Sequence, residues 1–304
     1  MDEFSKEIIQ GRKTFFISPD KSLFPESYLE EYLTQGFECY FITGDIFLPL
    51  EIKINILVST FEDCIIFFNI DSPVQNNDWP VFIEKIQRKY PNNLFGVIYE
   101  KRKFQNEKEK IERTYLLDIG LKCGATQLEY QKSVNFELIA RLLFANQAMG
   151  RRKSVRAVLK GGCTVQFLTT NKVSINTKLM DISITHFSFI ADGSQAAEIQ
   201  EHEKIMDAHF YLKGLHFRSN AILLMKRPVP TGTLCVFAFF NDTGQLGLDS
   251  YTKGQLVPKI YSILNENIMA LLDSLFKQAY QAMLIQKRTM EAQAAAAAAE
   301  ENPN

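Results

Sequence analysis

The chain has 304 residues, 46% of them hydrophobic, and 34 Lys and Arg against 35 Asp and Glu give a net charge of −1. That length and apolar content support two cores rather than one. The neutral balance argues against a general nucleic-acid or membrane-surface coat, so anion binding has to be local. Cys39, Cys64, Cys123, Cys163 and Cys235 form no CxxC pair and mostly sit in apolar runs, which predicts buried free thiols. MDEFSKEIIQGRK lacks the apolar core of a signal peptide and no apolar run reaches the length of a membrane span, so a cytoplasmic protein without membrane insertion is expected.

From residue 13 short apolar runs alternate with helical patterns. KTFFIS reads as a strand. PESYLEEYLTQGF follows as a helix, with Tyr28, Leu29, Tyr32 and Leu33 on one side and Gly36 at its end. ECYFIT and LEIKINILVSTF repeat the pair. CIIFFNI (Cys64–Ile70) is apolar throughout, as a central parallel strand covered on both faces should be. WPVFIEKIQRKY, with Pro80 in its first turn, predicts a third helix. NLFGVIYE is a fourth strand and Lys108–Leu121 a fourth helix; TQLEY and FELIARLLFANQAM complete five βα repeats. Such alternation predicts a doubly wound α/β domain over residues 1–148.

Within this half, GLKCGATQLEYQKSVNFELIARLL places helix, Gly-Ala, strand and Lys-Ser in the order of the receiver domains of response regulators, which the half resembles. Asp71 ends the third strand in NIDSP. The resemblance implies Asp71 as phosphoacceptor, Lys132 as the receiver lysine and Asp20 as one metal-binding acid. The pattern departs from the family at Ser18-Pro19, where an acidic neighbour belongs, and at Tyr99-Glu100, where a hydroxyl residue belongs. A hard divalent cation wants several oxygen ligands. No metal is therefore expected, and the domain reads as a pseudo-receiver that serves as a docking surface.

After Gly150 the texture changes. GRRKSVRAVL carries Arg151, Arg152, Lys153 and Arg156 within six residues. Alternating short strands with Gly-Gly, Asn-Lys and Asp-Gly punctuation follow, then HFYLKGLHFRSNAILLMKR, the turn PVPTG and TLCVFAFFN. No helix-period run stands between 152 and 240, which predicts a small barrel or sandwich. In MDISITHFSF, Asp181 and Ser183 flank Ile182, a spacing that puts both on one face of a strand.

RxxxR (Arg152, Arg156), the DIS triplet on an inner strand and the closing AILLMKR and GTLCVFAFF together resemble the PilZ domain, over residues 149–245. The resemblance implies binding of cyclic di-GMP. Arg152 and Arg156 would hold phosphates and guanine edges with Arg151 helping, while Asp181 and Ser183 would hydrogen-bond a guanine. The chemistry suits the residues, because guanidinium groups grip phosphate and the O6/N7 edge of guanine bidentately and stack on bases. The glycine of the family's D/NxSxxG falls at His186, whose imidazole is counted among the candidate ligand contacts.

From Lys259 the period is helical again (Ile260, Leu264, Ile268, Leu271, Leu275, Ala279, Met283), predicting a C-terminal helix and Ala-rich tail over 255–300. This stripe suits packing on its own chain, a partner, or a homodimer through the helix. There is no phosphate loop, GxSxG or HExxH, and His209 and His216 have no ligand partner at metal spacing, so no enzyme and no metal site are expected. The expectation is an α+β multidomain chain: a receiver-like α/β domain, a PilZ-type antiparallel β-barrel and a long helix. It would bind cyclic di-GMP, change its inter-domain geometry and signal to an unidentified protein partner, with no DNA contact. The alternatives are an adaptor that does not bind the nucleotide, and a phosphorylated response regulator.

Overall fold

The computed structural model describes residues 11–44, 48–73, 78–101 and 104–301, so most of the stretch read for a signal peptide lies outside the described residues. The chain packs as two compact units. One holds Lys13–Phe24, Tyr40–Leu142 and Asn267–Asn304; the other holds Met1–Arg12, Pro25–Cys39 and Leu143–Glu266.

The first unit is built on a five-stranded sheet of β1 (Thr14–Ile17), β2 (Cys39–Ile42), β3 (Ile65–Asn69), β4 (Leu94–Tyr99) and β5 (Ala125–Gln127), in the order β2-β1-β3-β4-β5. β1 with β3, β3 with β4 and β4 with β5 are parallel. In chain order the helices are α1 (Ser27–Thr34), which falls in the other unit, then α2 (Leu50–Thr60), α3 (Trp79–Lys89), α4 (Gln105–Glu112) and α5 (Lys132–Ala145). The strand order reverses between β1 and β3, so a crevice opens at their carboxyl ends. Phe15, Phe16, Phe67, Phe68 and Phe95 are buried in the sheet, and the rings of Phe16 and Phe67 stack 5.4 Å apart. Gly96 makes room for that layer: a Cβ there would lie 2.8 Å from both Phe67 Cε1 and Cys123 Cβ.

Two expected elements shift. The fourth helix begins at Gln105 and passes into a π-helical turn, Arg113–Asp118. The fifth strand is only Ala125–Gln127 and ends before LEY. There the buried Asn135 of α5 replaces the ladder, because its side chain accepts from Glu129 N at 2.7 Å and donates to Glu129 O at 2.7 Å and Leu23 O at 3.1 Å.

The second unit contains a closed antiparallel barrel. Its strands are β7 (Cys163–Leu168), β8 (Ser174–Ile182), β9 (His186–Ala191), β10 (Lys204–Leu212), β11 (Leu215–Val229) and β12 (Gly232–Phe240); the short β6 (Ala157–Val158) adds to β8. Pairing of β8 with β9 closes the six. Phe167, Phe187, Phe189, Phe210, Phe237 and Phe239 fill the interior, with Phe187 stacked on Phe237 at 5.2 Å. A helix that the periodicity does not show, α6 (Gly193–Glu198), interrupts the strands. The Asp-Gly read as a hairpin turn is its N-cap: Asp192 Oδ1 accepts from Gln195 N at 2.8 Å while Gln195 Oε1 accepts from Asp192 N.

The C-terminal helix α7 runs from Ser250 to Glu301 and begins nine residues before Lys259, capped by Asp249, which accepts from Thr252 N at 2.9 Å. Its buried stripe is Leu256, Ile260, Ile263, Leu264, Ile268 and Leu272. Leu271, expected on that stripe, is 42% exposed, one residue off the i+4 row that Leu272 continues. Among the described residues no helix is long and apolar enough to cross a membrane.

Candidate functional site

The densest group of predicted site residues lies where β6 meets β8. β6 pairs Ala157 with Ile182 and Val158 with Asp181, so the residue just before it, Arg156, is delivered to Asp181. Arg156 NH1 stands 3.7 Å from Asp181 Oδ1, and the two side chains are 23% and 14% exposed. That oxygen is buried and has no hydrogen-bond partner among the described residues, where the ion pair is its polar contact. Arg152 belongs to the same electrostatic group. Though the residue is exposed overall, partial burial and then the charge of Arg156 lower its pKa, against an opposite pull from Asp181. It remains a cation at neutral pH. Arg151 and Lys153 are exposed on the same segment.

The β8–β9 hairpin forms the other wall. β8 ends at Ile182, so Ser183 lies past the strand rather than beside Asp181 on its face. Ser183 is fully buried and its hydroxyl is used inside the turn: it donates to His186 O at 3.2 Å and accepts from His186 N at 3.1 Å and Thr185 N at 3.3 Å. His186 opens β9 opposite Ala238 of β12. It is half-buried, and burial first, then Arg156, hold its pKa below the ordinary imidazole value while Asp181 pulls upward.

Two residues that no sequence motif picks out join these walls. Ser154, buried within RRKSVR, has its hydroxyl 2.7 Å from Thr185 Oγ1, which in turn lies 2.7 Å from His186 Nδ1. The arginine segment is thus tied to the hairpin turn through hydroxyls. The trace left in the sequence is a small polar residue between two arginines, which composition alone does not separate from a solvated linker.

The other predicted site lies at the carboxyl ends of β1, β3 and β4. Ser18, Asp20, Asn69, Asp71 and Lys101 are among the residues lining a cavity of about 150 Å³ there. Asp71 Oδ2 accepts from the backbone N–H of Glu100 at 2.6 Å and of Lys101 at 3.0 Å. Asp20 turns to its own loop, with Oδ1 accepting from Ser22 N and Ser22 Oγ; the hydroxyl contact is the main reason its pKa is lowered. Lys132 is exposed at the start of α5. Among the described residues no group of three His, Cys, Asp or Glu is placed to hold a metal ion.

No protein-family model matches the sequence, and no curated protein matches it. Some solved structures are similar to part of the chain. One is YcgR in complex with c-di-GMP from Escherichia coli, at 17% identity and TM-score 0.31, matched over 45% of this chain and 52% of that one. The PilZ domain of the same protein with c-di-GMP is matched at 18% identity and TM-score 0.32, over 40% of this chain and 98% of that one. The MrkH–c-di-GMP complex of K. pneumonia is matched at 12% identity and TM-score 0.31, over 42% and 57%. The chain thus spans about half the length of the first of these proteins. One of these similar structures is a PilZ domain, the family that RxxxR and DIS resemble.

Proposed function

We propose that the chain is a receptor for cyclic di-GMP, with the β6–β8–β9 corner of the barrel as its site. The observation that carries this is one group: Arg152 and Arg156 beside Asp181, whose buried Oδ1 has the ion pair as its polar contact. A ligand with two phosphates and two guanines matches both halves. Arg156 and Arg152 offer forked donors to phosphate oxygens or to guanine O6/N7, and Asp181 offers an acceptor to guanine's N–H edge. Binding exchanges the Arg156–Asp181 pair for these contacts. Ser183 acts in this scheme by holding the turn, and Arg151 reaches the ligand from the solvent side. Signalling to a protein partner through altered domain geometry belongs to the same proposal, as do the absence of catalysis and of DNA contact.

Isothermal titration of the full chain with cyclic di-GMP, beside the Arg152→Ala/Arg156→Ala double variant, tests the site. Micromolar or tighter binding that the variant loses, with unchanged circular dichroism, supports it. No heat and no thermal shift at saturating nucleotide would mean that the barrel is a scaffold working through protein contacts. Stoichiometric labelling of Asp71 by acetyl phosphate would instead favour the response-regulator reading.

A further inference from the structure

The histidine that stands at the family's glycine position is built into the site rather than pointing idly from it. His186 Nδ1 is 2.7 Å from Thr185 Oγ1, and Thr185 Oγ1 is 2.7 Å from Ser154 Oγ, on the segment between Arg152 and Arg156. The charged groups facing the imidazole are Arg156, from the approach to β6, and Asp181, from β8. The strand on its other side, β12 (GTLCVFAFF), brings no charged side chain.

We propose that His186 makes nucleotide binding proton-linked: the imidazole takes up a proton when a phosphate lies on the arginines and draws Arg156 away from Asp181. This rests on the receptor reading above and names how that site is regulated.

Hydrogen-bond direction gives the mechanism. With His186 neutral and Nδ1 an acceptor, Thr185 donates its one hydroxyl proton to the ring and accepts from Ser154. Once Nδ1 carries a proton, it donates to Thr185, and the Thr185 hydroxyl has to turn to another acceptor. Ser183 Oγ, at 3.3 Å, already accepts from two backbone amides and donates to His186 O. Ser154 Oγ, at 2.7 Å, is therefore the acceptor, and its own O–H bond turns away from Thr185 with no proton lost. Protonation of the ring thus reverses the chain that ties the arginines to the hairpin.

The sign follows from the charges. In the free protein, burial and Arg156 hold the imidazole below its usual pKa. A phosphate that draws Arg156 away and adds negative charge raises it. Between those two values binding takes up a proton, so affinity rises as pH falls through the bound-state pKa and levels off below the free-state pKa. One proton limits the change to about tenfold in Kd per pH unit.

Titrations of the full chain with cyclic di-GMP from about pH 5.5 to 8.5, the range in which an imidazole changes charge, test this in buffers of different ionisation enthalpy. The wild type is expected to take up a fraction of a proton within this range and to tighten several-fold toward the acid side. His186→Gln, which keeps a side chain of similar size in the turn, is expected to lose the pH dependence of the affinity it retains, whatever the change in that affinity. Its NMR counterpart is a C2–H resonance, assigned by its loss in His186→Gln, that titrates at higher pH when nucleotide is bound. An equal pH slope in His186→Gln, or no upward movement of that resonance, overturns the proposal and leaves the receptor reading standing. Absence of binding at every pH overturns both.

Discussion

The Arg156–Asp181 pair should be worth about 1–2 kcal/mol of coupling to the barrel. At 3.7 Å the gross attraction is about 4 kcal/mol for an effective dielectric near 20, before the cost of desolvating two charges. With 23% and 14% of the side chains exposed, the pair falls between a surface bridge, worth about 0–1 kcal/mol, and a sealed one, whose breakage costs about 3–5 kcal/mol. The two single changes are not equivalent. In Arg156→Ala, Arg152 remains to neutralise Asp181. In Asp181→Ala, Arg152 and Arg156 face each other without a counter-charge, so that variant is expected to be the less stable. Trp79, the chain's one tryptophan, lies in the α/β unit, and its fluorescence would miss the event. Amide hydrogen exchange of β8 and β9 reports it directly, with opening free energies for wild type, both singles and the double variant closing the cycle. A coupling below about 0.3 kcal/mol, or a larger loss in Arg156→Ala, would refute the electrostatic account.

Gly232→Ala should lose about 2 kcal/mol or more of barrel stability by the same exchange measurement, because φ is +144° and a Cβ would sit 2.5 Å from Ala191 O. Asn135→Ala removes three hydrogen bonds from a buried side chain and should lower the stability of the α/β unit by about 3 kcal/mol, read from Trp79 fluorescence in urea. All five cysteines are buried, and burial pushes the thiols of Cys64, Cys163 and Cys235 up, so Ellman's reagent should find them unreactive until denaturant is added. Asp249 is held below the ordinary carboxylate pKa, first by the Thr252 hydroxyl and then by its N–H. Its capping contribution is therefore present above pH 3.8 and lost as pH falls through the lower folded value, and Asp249→Ala, costing about 1 kcal/mol, should abolish that acid dependence in thermal melts.

Periodicity made the large elements readable: the apolar run of β3, the Pro-initiated α3 and the pair β11 and β12 stand close to where the pattern puts them, while β10 begins at Lys204, ahead of the stretch read from His209. It failed where one side chain overrides a period. Asp192 converts a turn dipeptide into a helix start, and Asn135 ends β5 early by taking the backbone of Glu129. In the site, the charges and Asp181 were readable because few residue types serve phosphate and guanine. Ser154 and Thr185 were not, because a hydroxyl leaves no spacing rule and its partner stands 31 residues away. Ser183 shows the converse: alternation places it beside Asp181, but the strand stops at Ile182 and the side chain turns into the hairpin.

Two aspartates at strand ends thus lead to opposite expectations. Asp71 has an oxygen bound to two backbone amides, donors that come with the fold and that no small molecule needs to supply. Asp181 has a buried oxygen facing one guanidinium at 3.7 Å, long for a hydrogen bond and exchangeable for a better donor. A carboxylate oxygen held by two backbone amides is a structural clasp, since opening it costs fixed hydrogen bonds. One held by a mobile arginine can change partners at little net cost when the newcomer also satisfies the arginine. A ligand that carries phosphates and guanine N–H groups does both at once. That exchange, more than the number of cations, is why we propose the barrel corner rather than the crevice of the parallel sheet as the place to bind one.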